Sequence, residues 1–304
     1  MTPSSGRKPS TTPDGQPDMQ GIWTNGTLTP FERPANLAGK AFLTIEEAAE
    51  IERQAAERRA NPNRPRRPGD VGGDNEAFVD TGYKVTSTRQ TSLVADRDGR
   101  IPLRPEAETI RDANENGVDS FETMSPWDRC ITRSITGLFP AGYNNGYQII
   151  QSPGYVVILA EMIHEARIIP LDGRPHSPSS VRSWLGDSRG RWEGQTLVVD
   201  TTNFVNRGWF STHAGSGRLR GVPQTSSLHL VERFTRTDAD TLLYEMTIDD
   251  PGVYTSPWKV SVPFTRDDGY RIFEYACHEG NKATELILRG ARTIEKAGTA
   301  AAPK

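Results

Sequence analysis

From about Pro126 onward the chain is a succession of short runs rich in β-branched and aromatic residues, each closed by a turn signal and none followed by a helical pattern. The runs are GYQIIQ, YVVILAEMIHEARII, GRWEGQTLVVDTTNF with a hairpin turn at Glu193 and Gly194, SLHLVERFTR, TLLYEMTIDD, WKVSVPFTR and YRIFEYACHE. Seven or more antiparallel strands without intervening helices predict a mainly β fold. Consecutive hairpins form a meander naturally. The expected architecture is therefore an antiparallel β-barrel of the calycin or lipocalin kind over 121–296, with a β-sandwich as the alternative. With 28 glycines and 22 prolines in 304 residues, the composition suits strands joined by long loops.

The N-terminal part reads differently. Residues 1–18, rich in Pro, Ser, Thr and Gly, have the composition of a disordered arm, and 297–304 that of a disordered tail. Residues 19–120 read as an extended arm wrapped on the barrel. Within it Thr44 and Glu47 form a capping box ahead of Ala48, Ile51 and Ala55, which predicts a helix over 44–60. Three basic residues and three prolines in Asn61 to Gly69 end it and read as a solvated linker. Alternation over Tyr83 to Leu93 predicts a strand, DRDG at Asp96 to Gly99 a turn, and Pro105 to Asn114 a short helix.

The run Tyr155 to Ile169 is unusual in carrying Glu161, His164, Glu165 and Arg167 where its apolar pattern is strongest. Read as one strand, it places Glu161, Glu165 and Arg167 on one face and His164 on the other, apolar one. The last run, Tyr270 to Glu279, puts Glu274 and His278 together on one face. Glu161, Glu232, Glu245 and Glu274 each fall in mid-strand. Either they face solvent, as alternation on an antiparallel sheet allows, or some converge on a lumen. A carboxylate held against apolar neighbours and an imidazole titrating near neutrality form a base and an acid, and a guanidinium holds an oxygen. The expected catalytic set is thus His164, Glu165, Glu274, His278 and, in the loop WLGDSRG, Asp187. The expected substrate-binding set is Glu161, Arg167, Glu245, the rim residues Tyr143 and Asn145, and Trp184 as a stacking platform.

Several classes are excluded. A net charge of −3 offers no basic field for nucleic acid, and no run of 18 apolar residues exists to cross a bilayer as a helix. The chain has no GxSxG, GxGxxG, P-loop, HExxH or CxxC motif, and His164, His176 and His278 lack metal-ligand spacing, so neither metal nor cofactor is expected. Cys130 and Cys277 either pair across 147 positions, which demands an oxidising compartment, or stand as two unrelated thiols.

PDMQGIW at Pro17 to Trp23, TSLVADRDGRIP at Thr91 to Pro102, EMIHEARIIPLDGRPH, WLGDSRGRWEGQTLVVDTTNF at Trp184 to Phe204 and YACHEGN at Tyr275 to Asn281 together resemble a family of exported bacterial proteins. The resemblance runs from Pro17 to Arg292. It implies a signal peptide ahead of the PDxxGIW segment, hence a periplasmic or extracellular location, and it carries over no activity, cofactor or catalytic residue. The functional expectation is therefore built on the strands alone. It is an exported enzyme doing cofactor-free acid/base chemistry of the lyase, hydratase or isomerase kind on a small organic substrate in a barrel cavity. A non-catalytic ligand-binding module and a two-carboxylate glycoside hydrolase are the alternatives.

Overall fold

The computed structural model describes residues 10–60, 81–96, 98–116, 119–133, 138–210 and 219–296. The linker 61–69, the first nine residues of the N-terminal arm, Arg97 in the DRDG turn and the tail 297–304 lie outside the described residues.

One nine-stranded antiparallel sheet forms a nearly closed barrel. Its strands are β1 (Gly21–Thr24), β2 (Gly146–Ser152), β3 (Tyr155–Ala160), β4 (Ala166–Pro170), β5 (Asp187–Glu193), β6 (Thr196–Thr202), β7 (His229–Arg236), β8 (Thr241–Asp249) and β9 (Trp258–Arg266). They lie side by side in the order β4-β3-β2-β1-β9-β8-β7-β6-β5. All neighbours are sequential hairpins except at β1, a four-residue strand from the N-terminal arm that pairs with β2 on one side and β9 on the other. There is a single curved sheet, so the sandwich alternative does not apply. Among the described residues three α-helices accompany it: α1 (Ile45–Ala60), α2 (Pro105–Asn116) and α3 (Ala283–Lys296).

The alternation that predicted the strands is the pattern that fills the barrel. In β7, β8 and β9 every second residue is buried, which points Leu230, Phe234, Tyr244 and Phe264 inward. Rings stack through the interior: Phe234 to Tyr244 at 4.9 Å between centroids, Tyr244 to Phe264 at 5.4 Å, and Phe264 to Tyr147 at 5.3 Å. The centre is thus packed with aromatic side chains, in the manner of a small barrel.

β4 and β5, the two ends of the strand order, close the seam without a backbone ladder. Gly190 of β5 makes this approach possible, since a Cβ there would come within 2.6 Å of Leu171 Cδ2 and 2.8 Å of Ile169 Cγ2. Inside the seam Arg167 of β4 reaches Ser188 of β5 at 3.2 Å and Glu232 of β7.

A short piece of the N-terminal region lies along β9. The amide of Ser261 donates to Leu93 O and that of Ala95 to Lys259 O, each at 2.9 Å, so residues 93–95 cover the part of the β9 edge that β1 leaves open. α1 begins with the expected capping box: the Thr44 hydroxyl accepts from the Glu47 amide at 3.2 Å, and Glu47 Oε2 accepts from the Thr44 amide at 2.8 Å. The disulfide between Cys130 and Cys277 is formed.

Three strand expectations are corrected. Tyr155 to Ile169 is a hairpin, not one strand, because β3 stops at Ala160 and a tight turn through Met162–His164 reverses the chain into β4. Tyr83 to Leu93 forms no strand and makes only the isolated bridge of Gln90 to Phe42. Tyr270 to Glu279 joins no β-ladder among the described residues, since β8 occupies one edge of β9 and the arm with β1 the other. β1 and α3 went unread in the sequence.

Candidate functional site at the barrel mouth

The hairpin turn redistributes the charged residues of Glu161 to Arg167. Ile163 and His164 take positive φ of 62° and 46°, a conformation rare for any residue other than glycine and an outlier for a β-branched one. Because of this turn Glu161 and Glu165 leave the strand plane on different sides. The inward parity of β4 runs through Arg167 and Ile169 and extends to Glu165 at the mouth of the barrel. Glu161 instead packs against the outward side of Gly146, where a Cβ would lie 2.9 Å from its Oε2.

Glu165 sits among residues of the segment 125–133. Its carboxylate accepts from the Thr132 hydroxyl and the Arg133 amide, and it lies close to the Arg133 guanidinium. Burial outweighs these contacts and raises its pKa above the ordinary 4.5. Arg133 is itself buried, which pulls its pKa down, and Tyr147, Tyr143, Tyr275 and Glu165 stand around it. The Arg133 guanidinium lies 5.4 Å from the centre of the Trp127 ring, and Trp127 is 6.1 Å from Tyr143. Burial pushes the Tyr147 phenol up to about 12, so it stays a neutral donor and acceptor, with Asn25 Nδ2 donating to it at 3.3 Å.

Deeper in the lumen Arg167 and Glu232 form a bidentate pair, Nη1 to Oε1 at 2.9 Å and Nη2 to Oε2 at 2.6 Å, and the Tyr244 hydroxyl donates to Glu232 Oε1 at 3.0 Å. Burial alone would lower the Arg167 pKa, but Glu232 more than offsets it and the net shift is upward. Glu165 and Arg167, two residues apart on one side of the chain, each feel the other's charge.

The other expected residues are distributed as follows. Glu161 has no exposed surface; its Oε1 accepts from the Tyr270 hydroxyl at 2.9 Å and from Asn144, while Oε2 has no hydrogen-bond partner among the described residues. His164 is exposed, with Nδ1 at 2.9 Å from the Tyr275 carbonyl. Glu274 and His278 are exposed on the unpaired segment, and Glu245 is exposed on the outer face of β8 opposite Arg233. Tyr143 is a half-buried part of the aromatic wall. Asn145 is buried and exchanges hydrogen bonds with the Ala141 backbone, a role in the turn. Trp184 is half-buried in the connection between β4 and β5.

Asp187 belongs to a separate outer-face chain. His176 Nδ1 contacts Asp187 Oδ2 at 3.1 Å and its Nε2 contacts Asp200 Oδ1 at 2.9 Å, while His229 Nε2 reaches Asp200 Oδ2 at 2.9 Å. Burial raises the Asp187 pKa, but the Ser177 amide, His176 and Arg189 reverse this and hold it below the usual carboxylate range. Among the described residues, no group of three or more His, Cys, Asp or Glu is arranged to hold a metal ion. A concavity of about 690 Å³ lies elsewhere, with Arg33, Asp96, Asp98, Arg100 and Trp258 in its lining. Its acids are engaged locally, Asp96 by the Lys259 amide and Asp98 by the Arg100 amide, and none of the expected catalytic or substrate-binding residues borders it.

The structure therefore brings Glu165 and Arg167 together and adds Thr132, Arg133, Trp127, Tyr147, Glu232 and Tyr244 to the expected set. Glu232 carried a readable signal, being the one acid on the face of β7 that holds Leu230 and Phe234. Arg133 and Thr132 lie in an irregular segment with no periodicity to mark them. No protein-family model and no curated protein sequence matches this chain, so the reading of the site rests on its geometry.

Proposed function

We propose that the protein is an exported enzyme performing acid/base chemistry on a small organic molecule at the barrel mouth. The observation that carries the proposal is the enclosure of one carboxyl, Glu165, with one buried guanidinium, Arg133, beside the Trp127 and Tyr143 rings. A carboxyl whose pKa is raised by burial transfers protons more effectively near neutral pH than one in water. A guanidinium beside it binds a carbonyl or carboxylate oxygen and stabilises negative charge developing there. Glu165 thus removes a proton next to that oxygen and returns it in an elimination, hydration or isomerisation. Export is supported by the formed disulfide, since such bonds persist in oxidising compartments, and no described helix is long and apolar enough to cross a membrane.

Ligand binding without turnover is the second reading, favoured by one observation: the Glu165 carboxylate is already engaged by Thr132 and the Arg133 amide. A hydrolase built on two carboxylates needs a second acid beside Glu165. Glu161 lies across the β3–β4 turn and Glu232 is held by Arg167, so the proposal does not extend to glycosides.

The test uses 5-nitrobenzisoxazole, whose ring opens to a coloured phenolate when a desolvated base removes its carbon-bound proton. Wild-type protein should accelerate the opening above the rate with free acetate at equal pH, and Glu165→Gln should lose about a hundredfold or more, the lower end of what general bases contribute. A wild-type rate no faster than acetate, or an undiminished rate in a folded Glu165→Gln variant, overturns the enzyme reading.

A further inference from the structure

After β9 the chain turns at Asp267 to Tyr270 and runs back as an unpaired strap to Asn281. No residue from Tyr270 to Gly280 is buried, and Phe273 has 64% of its surface exposed. The strap nonetheless lies over the candidate site. Tyr270 and Ile272 cover Glu161 against Gly146, and the Tyr275 carbonyl meets His164 on the β3–β4 turn. Tyr275 also stands close to Arg133. The only covalent tie is Cys277 to Cys130, three residues before Arg133 on the segment that frames Glu165.

We propose that the strap 270–281 is a redox-releasable cover: the Cys130–Cys277 disulfide holds it and the 125–133 segment over the barrel mouth, and reduction opens the mouth. The inference rests on the mouth being the functional site. An exposed segment with no backbone ladder and few side-chain bonds belongs to the part of a protein that opens at low free energy. The disulfide is what prevents such opening here. Asn281 Nδ2 donates to Cys130 Sγ at 3.0 Å, which favours charge on that sulfur. An incoming dithiol therefore attacks Cys277 Sγ as its thiolate and expels Cys130 as the leaving thiolate. The second thiol of the reagent then displaces Cys277, leaving two protein thiols and one oxidised, cyclic reagent.

Hydrogen exchange with mass spectrometry, with and without dithiothreitol, tests this in the whole chain alongside a Cys130→Ser/Cys277→Ser variant. On reduction, and in the variant without reductant, amides of 270–281 and 125–133 should exchange about tenfold faster or more while β7 to β9 keep their protection. Carbodiimide-promoted amidation should rise at Glu161 and Glu165 in parallel. Unchanged exchange in 270–281 overturns the proposal, because other contacts then hold the strap. Loss of protection throughout β7 to β9 also overturns it, because the disulfide then staples the whole fold. Neither readout depends on turnover, so a negative result with 5-nitrobenzisoxazole leaves this test standing.

Discussion

Replacing the lumen pair Arg167–Glu232 offers a sharp test of how the barrel closes. Four strands meet there: Arg167 on β4, Ser188 on β5, Glu232 on β7 and Tyr244 on β8. Glu232 has no exposed surface and Arg167 only 7%. Arg167→Met leaves a fully buried carboxylate with the Tyr244 hydroxyl as its remaining donor among the described residues, and loss of one partner from such a pair costs about 3–5 kcal/mol. Glu232→Leu strands the guanidinium with Ser188 and should cost a similar amount. Arg167→Met with Glu232→Leu instead puts two apolar side chains of similar volume into an apolar lumen, a change that is neutral or stabilising by about 1–4 kcal/mol in comparable cases. The Tyr244 hydroxyl then loses its acceptor, which costs back about 1–3 kcal/mol.

The double variant should therefore stand close to wild type and at least about 2 kcal/mol above either single. Urea denaturation of the oxidised protein, followed by tryptophan fluorescence, measures this directly. In heating experiments, at roughly 2 °C per kcal/mol for a large domain, each single variant should lose about 6–10 °C and the double far less. Single effects that simply add in the double, within about 0.5 kcal/mol, would show that the two charges do not act as a unit and refute the argument.

Two further outcomes follow from the same geometry. The Glu165 pKa is raised in the folded protein above 4.5, its value in the unfolded chain, so between those two values the folded state keeps a proton that the unfolded state has lost. Stability from this group is thus present below 4.5 and is lost as pH rises through the folded value. Glu165→Gln carries no such charge, so its stability relative to wild type should climb with pH through that window and then level; urea midpoints that differ by a constant amount from about pH 4 to about pH 8 contradict the assignment. At the seam, Gly190→Val drives methyl groups into Leu171 and Ile169, and overpacking of this kind costs about 1–3 kcal/mol. Hydrogen exchange should localise the loss to β4 and β5, and a thermal midpoint equal to wild type would mean that the strands do not need to approach so closely.

What could be read from the sequence depended on whether a strand's alternation ran unbroken. In β7 and β8 it does, and parity alone separates the two mid-strand acids: Glu232 shares a face with Leu230 and Phe234 and is buried, whereas Glu245 opposes Leu242, Tyr244 and Met246 and is exposed. In Tyr155 to Ile169 the alternation is interrupted without any glycine, proline or asparagine to announce it, because Ile163 and His164 themselves take the left-handed conformation. A turn of that kind restarts the parity, which is why Glu161 and Arg167, expected on one face, end on opposite sides of the barrel wall. Tyr270 to Glu279 shows the converse case. Its alternation is good, but a strand also needs a free edge, and both edges of β9 are taken, one by β8 and the other by β1 and the arm. Arg133 escaped any reading from local pattern, since a residue in an irregular segment acquires its environment only from what tertiary structure and a disulfide 147 positions apart bring to it.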